Sequence, residues 1–166
     1  MPQSRVTDTL GHSAESLPLP EVLEFMQVLW RVVHAAEQRS KRMASTHGVT
    51  SPQRLVLRLV GLQPGVSAGT LAATLHVHPS TLTGVLRRLQ ERGLIARDPH
   101  PADRRRAVLR LTPRGRRVNT GTRGTVEDAV ELALRRVSAR DQACARRALA
   151  AVADAMSSED SDSGLR

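Results

Sequence analysis

The sequence predicts a mainly α-helical fold with one small β-hairpin. The chain has 166 residues, enough for about one domain, and 40% of them are apolar. With one Phe, one Trp and no Tyr, its core must consist of Leu, Val, Ala and Met, a composition typical of packed helices. Apolar residues recur at three- and four-residue steps along most of the chain, as they do in amphipathic helices.

The first predicted helix runs from Glu21 to His47, a stretch without Gly or Pro. Its apolar stripe comprises Val22, Phe25, Met26, Leu29, Val32, Val33, Ala36 and Met43. Ser51 followed by Pro52 predicts the N-cap and first position of a second helix. Ser67 predicts the cap of a short third helix.

The fourth predicted helix begins near Pro79 and stops at Gly93. Two short strands follow, 94–98 and 107–111, and the basic loop PHPADRRR joins them. A fifth helix begins at Thr112, and Gly121 with its neighbouring glycine predicts a bend in it.

Ser138, followed three residues later by Asp141, predicts a capping box that opens a sixth helix through Met156. Residues 1–17 and 157–166 are polar, and the second segment is acidic. Both are expected to be disordered tails because they hold too few apolar residues to form a core.

Positive charge is concentrated in one part of the chain. The formal net charge is +9. Residues 87–117 contain eleven Arg and three acidic residues, so this segment alone carries 11 − 3 = +8. Such a concentration is typical of a surface that binds a polyanion, because each neutralised phosphate releases counterions.

Residues 68–87, AGTLAATLHVHPSTLTGVLR, fit the pattern of a helix-turn-helix. The apolar and small positions are Leu71, Ala72, Leu75, Val77, Leu82 and Val85. His76 occupies the turn position that usually holds Gly, and a positive φ is expected there. An ordinary αα-hairpin is the alternative interpretation of this segment.

In a helix-turn-helix, the second helix enters the major groove and its first residues reach base edges. The predicted DNA-binding residues of this helix are Pro79, Ser80, Thr81, Thr83 and Arg87. Because hydroxyl groups can bind either bases or phosphates, they predict no particular base sequence.

The order of a helix-turn-helix, the segment GLIARDPHPADRRRAVLRLTPRG and long helices resembles the MarR family of bacterial winged-helix transcriptional regulators, over about residues 19–156. The most specific match is the family's D-x-R signature at Asp103 and Arg105. The resemblance implies that Arg105, with Arg104 and Arg106 beside it, reaches the minor groove. It also implies that Asp103 holds the wing in shape by pairing with Arg.

The resemblance implies a winged helix-turn-helix lobe, 49–112, and a helical dimerisation region made of 18–48 and 113–156. A homodimer agrees with the apolar stripes of the long helices, which the small lobe can cover only in part. Two-fold symmetry predicts a pseudo-palindromic operator in double-stranded DNA, with half-sites about one helical turn apart.

The predicted function is that of a sequence-specific, dimeric transcriptional regulator. Repression and release by a small-molecule ligand are implied by the resemblance alone. Trp30 and His34, four residues apart on the first helix, are candidates for the ligand pocket, or else for core or interface positions. Two other functions stay open: a non-specific or architectural binder of double-stranded DNA, and a protein-interaction module on a winged-helix scaffold.

Enzymatic, metal and membrane functions are not predicted. The chain has no GK[ST] phosphate loop and no nucleophile elbow, so neither catalysis nor a cofactor is expected. His76 and His78, with His100 in the wing, lack the converging ligands of a metal site, and His78 is expected to cap a helix instead. Cys144 is expected to be a small buried residue. The chain lacks a signal peptide and an apolar run of about 18 residues, so a cytoplasmic protein is expected.

Overall fold

The computed structural model describes residues 18–100 and 103–162, except for the side chains of 103–106 and 159–162. The elements in chain order are α1 (Glu21–Thr46), α2 (Ser51–Leu62), α3 (Ala68–Leu75), α4 (Pro79–Glu91), β1 (Ile95–His100), β2 (Asp103–Leu111), α5 (Pro113–Thr120), α6 (Val126–Leu134) and α7 (Ala139–Asp162). The predicted fold class, mainly α with a small β-wing, is confirmed. The chain divides into two units within α1, Met1–His34 and Ala35–Arg166.

The helix α1 has the predicted extent, but most of its apolar stripe is exposed. Phe25 and Met26 expose 43% and 56% of their surface, and Met43 is the buried residue of this helix. An amphipathic helix with an exposed apolar face indicates that another surface covers it.

The core of the second unit is aliphatic, as the composition predicts. Its residues come from α2, α3, α4 and the hairpin, and the largest of them include Leu57, Leu71, Leu82, Leu86, Leu89 and Leu109. The segment before α3 joins the hairpin, since the amide of Leu109 donates to the carbonyl of Val66 over 2.9 Å. The helix-turn-helix and the wing therefore share one core.

The helix caps largely follow the sequence signals. Ser67 caps α3 by accepting a hydrogen bond from the amide of Thr70 at 3.1 Å. The prediction for α2 is wrong by one residue: Thr50 is the N-cap, and its amide donates to the side-chain oxygen of Gln53 at 3.1 Å. The Ser51 amide instead donates to the hydroxyl of Ser40 at 2.9 Å, a partner distant in sequence.

The strands are longer than predicted. The antiparallel register pairs Ile95 with Leu111 and continues to Pro99 opposite Ala107, where a bulge follows. The three arginines expected in the loop therefore lie within β2. Backbone ladder bonds do not depend on side-chain charge, so a basic sequence can still form a hairpin.

The single fifth helix of the prediction is in fact two helices. Gly121 is extended, with φ −77° and ψ 124°, and Gly124 has φ +81°, so the backbone leaves the helix rather than bending within it. Thr125, fully buried, then caps α6 by accepting from the amide of Asp128 at 3.2 Å.

The last helix begins as predicted but ends later. The hydroxyl of Ser138 accepts from the amide of Asp141 at 3.1 Å and donates to its carboxylate at 2.7 Å. The helix continues to Asp162, so the predicted end at Met156 is wrong. Near this end of α7, serine hydroxyls donate to carbonyls of the preceding turn. The hydroxyl of Ser157, for example, donates to the carbonyl of Ala153 at 2.8 Å. In the part of the chain that the structure describes, no helix is long and apolar enough to cross a membrane.

Candidate DNA-binding interface

The turn between α3 and α4 depends on His76. This residue adopts φ +51° and ψ 43°, which confirms the positive φ expected at this position. The amide of Val77 donates to the carbonyl of Ala72 at 3.1 Å, a bond that reaches back five residues and is typical of a Schellman motif. His is among the residues that tolerate this conformation, so the turn forms without Gly.

His78 caps α4, as predicted. Its Nδ1 accepts from the amide of Ser80 at 3.3 Å and lies 2.7 Å from the Ser80 hydroxyl. Pro79 follows at the first helical position, where its missing N–H costs nothing. The imidazole is thus used in local structure, and no group of three or more potential metal ligands is found among the described residues.

One face of α4 is buried and the opposite face is exposed. Leu82, Leu86 and Leu89 pack into the core with at most 6% exposure. All five residues predicted to contact DNA from this helix are exposed: Pro79, Ser80, Thr81, Thr83 and Arg87. Burial of the leucines therefore fixes which side of the helix can approach a partner.

Two of these exposed side chains are held by neighbours within the helix. The Thr83 hydroxyl donates to the carbonyl of Pro79 at 2.8 Å, which leaves its oxygen lone pairs and its methyl group available to a partner. The Arg87 guanidinium lies 3.7 Å from the Glu91 carboxylate, and both side chains are more than 60% exposed. An exposed pair of this kind is weak, so Arg87 is free to exchange partners.

The wing continues the exposed basic surface. Arg110 of β2 lies 3.7 Å from Asp98 of β1, and Arg97 points to solvent from the same hairpin. The four predicted wing residues, Asp103, Arg104, Arg105 and Arg106, form the start of β2, and their side chains lie outside the described residues.

The wing is joined closely to α5. The Thr112 hydroxyl donates to the carbonyl of Gly93 at 2.7 Å and accepts from the amide of Gly115 at 3.0 Å. A β-carbon on Gly115 would overlap the backbone carbonyl of Leu94, so only glycine fits at this crossing.

The structure contains a buried polar centre that the sequence analysis did not identify. Arg54 of α2 is 2% exposed, and its guanidinium makes a bidentate bond with Glu127 of α6, at 3.2 and 2.6 Å. It also donates to the carbonyls of Val118 and Asn119. These carbonyls belong to the last turn of α5, where they lack partners in the helix and where positive charge is favourable.

The centre therefore holds the end of α5 and the start of α6 against the DNA-binding lobe. In the sequence, Arg54 is recognisable only as a charged residue on the same helix face as Leu57, which follows it by three positions. That signal does not reveal the partners, which lie more than 60 residues away.

The two candidate ligand residues lie on α1. The rings of Trp30 and His34 are stacked, with centroids 5.1 Å apart and an angle of 4° between their planes. The second unit has a separate apolar groove of about 670 Å³ beside Arg58 and Glu127, with Leu55, Val130 and Leu134 in its wall. Neither Trp30 nor His34 lines that groove.

The expectation that Cys144 is buried is wrong. The residue is exposed on α7, and the Arg147 guanidinium donates to its sulfur at 3.2 Å. The short α6 and the small lobe leave this part of α7 uncovered within one chain.

The comparisons with known proteins agree with this geometry. The model of the MarR family matches residues 49–107, which span α2 to the wing. An HTH-type transcriptional repressor of Mycobacterium tuberculosis is 30% identical over 115 residues, covering 69% of this chain and 83% of that protein. This chain belongs to the MarR family.

Two other known proteins are similar to this chain, one in sequence and one in structure. A protein of Thauera aromatica, named as a transcriptional regulatory protein for the hcr operon, is 37% identical over 83 residues, which are about half of each chain. The crystal structure of the PcaV transcriptional regulator of Streptomyces coelicolor, in complex with its natural ligand, superposes with a TM-score of 0.66. It is 28% identical, and the match covers 85% of this chain and 99% of that one. As a MarR-family protein, the chain is a DNA-binding transcriptional regulator and not an enzyme.

Proposed function

We propose that this MarR-family protein is a dimeric repressor that binds a pseudo-palindromic operator and leaves it when a small molecule binds. The observation that carries the proposal is the orientation of α4. Its leucines are buried in the core of the lobe, while all the residues of α4 that are predicted to contact DNA are exposed.

The contacts proposed for α4 follow from its chemistry. Arg87 can donate two hydrogen bonds to a guanine, and Thr83 can offer its methyl group or an oxygen lone pair to a base. Pro79, Ser80 and Thr81 lie at the first turn, where the positive end of the helix favours DNA phosphates.

In this proposal the wing binds the minor groove. Arg104, Arg105 and Arg106 supply guanidinium groups, which suit a narrow groove of high negative potential. Asp103 is an anion and so a poor ligand for DNA, and its proposed part is to pair with Arg and shape the hairpin.

The proposed dimer uses residues 18–48 and 113–156, and the lobe between them binds DNA. Exposed apolar side chains on α1, α6 and α7 support this division. Those on the last two helices are Val130, Leu132, Leu134, Leu149 and Met156. A second copy of the chain would remove these surfaces from water, and the two lobes would then meet two half-sites.

Repression and ligand release are supported by the relatives. The mycobacterial relative is named a repressor, and the S. coelicolor regulator was crystallised with its natural ligand. We place the ligand contacts of this chain at Trp30 and His34, whose stacked rings offer a flat aromatic surface. Such a regulator would act in the cytoplasm.

Substitution of two arginines separates base reading from phosphate attraction. Arg87→Ala is expected to weaken binding to an operator selected from a random library by about 1–3 kcal/mol and to relax the preference at one base pair. Arg105→Ala is expected to weaken binding to operator and unrelated DNA alike and to reduce the salt slope by about 1. Fluorescence anisotropy over a range of salt concentrations measures both effects.

Arg123→Ala is the matched control, because Arg123 is exposed but lies between α5 and α6, outside both α4 and the wing. It removes the same charge and should leave the base preference intact. If Arg87→Ala and Arg123→Ala had equal effects on both duplexes, net charge alone would explain binding and α4 would not read bases.

A further inference from the structure

Gly84, itself half-buried, lies among the exposed residues of α4. At 100° per residue, Ser80, Gly84 and Arg87 lie along one line of the helix surface, opposite the buried leucines. Gly84 was not among the residues that the sequence analysis singled out.

Packing within the chain does not explain this glycine. A β-carbon built on Gly84 meets no heavy atom within 4 Å. At Gly61 of α2, by contrast, a β-carbon would lie 2.6 Å from the side-chain nitrogen of Asn119, so that glycine has a steric reason. In a helix interior Gly is less favourable than Ala, because it loses more backbone entropy on folding. Gly84 therefore lowers stability without an internal benefit.

We propose that Gly84 is a positioning residue for DNA, and that its missing side chain lets the backbone of α4 approach the base edges closely. The proposal rests on the proposed function of α4. Glycine is the usual residue where backbone must approach a ligand. A methyl group on this face would hold the helix away from the groove floor. Hydrogen bonds from Arg87 to a base tolerate only a few tenths of an ångström, so a displacement of about 1 Å breaks them.

The substitution Gly84→Ala tests the proposal, with affinities measured for a selected operator and for an unrelated duplex at one salt concentration. The melting temperature of the variant is expected to rise by about 2–4 °C, since Ala favours the helix. Its operator affinity is expected to fall at least about tenfold. Affinity for the unrelated duplex is expected to stay within about twofold, because phosphate contacts do not require close approach to the bases.

Gly121→Ala is the control. Gly121 has an extended backbone that any residue can adopt, and a β-carbon there also meets open space. This variant should bind the operator like the unchanged protein.

The inference is overturned if Gly84→Ala binds the operator as tightly as the unchanged protein does. A parallel loss on both duplexes with a lower melting temperature would also overturn it, because the role would then be structural. If the unchanged protein itself does not distinguish the two duplexes, the proposed function fails and the inference falls with it.

Discussion

Replacing Arg54 with alanine is expected to lower the free energy of unfolding by about 3–5 kcal/mol. The change leaves Glu127 without its bidentate partner, removes the Arg54 donor from the carbonyl of Val118, and leaves the carbonyl of Asn119 with Arg58 alone. Buried polar groups that lose their partners keep the full cost of desolvation. Chemical denaturation at a fixed protomer concentration measures the effect, since the stability of a dimer depends on concentration.

Arg58→Ala is the matched control for this prediction. Arg58 lies one turn further along α2 and also reaches Glu127, at 3.6 Å, and the carbonyl of Asn119, at 3.2 Å, but its side chain is 39% exposed. Because solvent screens such a pair, its loss should cost less than about 1 kcal/mol. A loss of less than about 1 kcal/mol for Arg54→Ala, no larger than that of Arg58→Ala, would show that the buried centre does not hold α5 and α6 to the lobe.

Met26→Glu is expected to separate the dimer and to lower operator affinity by at least about 100-fold. Met26 is 56% exposed on the apolar stripe of α1, and burying a carboxylate among apolar side chains in a dimer is costly. A monomer binds one half-site at a time and loses the gain from linked binding. Light scattering should give the chain mass of 18.1 kDa for the variant and twice that mass for the unchanged protein.

Gln27→Glu introduces the same charge at the next residue, which faces away from the stripe. This control should remain dimeric and should bind the operator normally. If both variants were dimeric with unchanged affinity, the exposed stripe of α1 would not form the interface.

The helix-turn-helix could be predicted because its signals are local. Ser67 and His78 cap helices through bonds to residues two or three positions away, and His76 adopts the turn conformation through its own backbone. The buried leucines of α4 follow from helical periodicity, and their burial orients the exposed residues. The sequence thus predicted both the helix-turn-helix and which face of α4 is exposed.

The features that could not be predicted depend on distant partners. Arg54 is buried because α5 and α6 provide carbonyls and a carboxylate, and nothing near Arg54 in sequence indicates them. Cys144 lies among alanines, yet α7 is too little covered by its own chain to bury it. Gly84 was not predicted to have a role, because the proposed reason for a glycine there is close approach to DNA, which is not part of the chain.

The most direct test of a dimeric, sequence-specific regulator is selection of bound duplexes from a random library by the purified protein at about 0.15 M salt, where exposed charges are substantially screened. The proposed function predicts enrichment of a pseudo-palindrome whose half-sites lie about one helical turn apart. If the protein bound DNA but enriched no sequence, and if that binding disappeared as salt rose, the proposal would be contradicted. The arginines would then attract DNA through their charge alone.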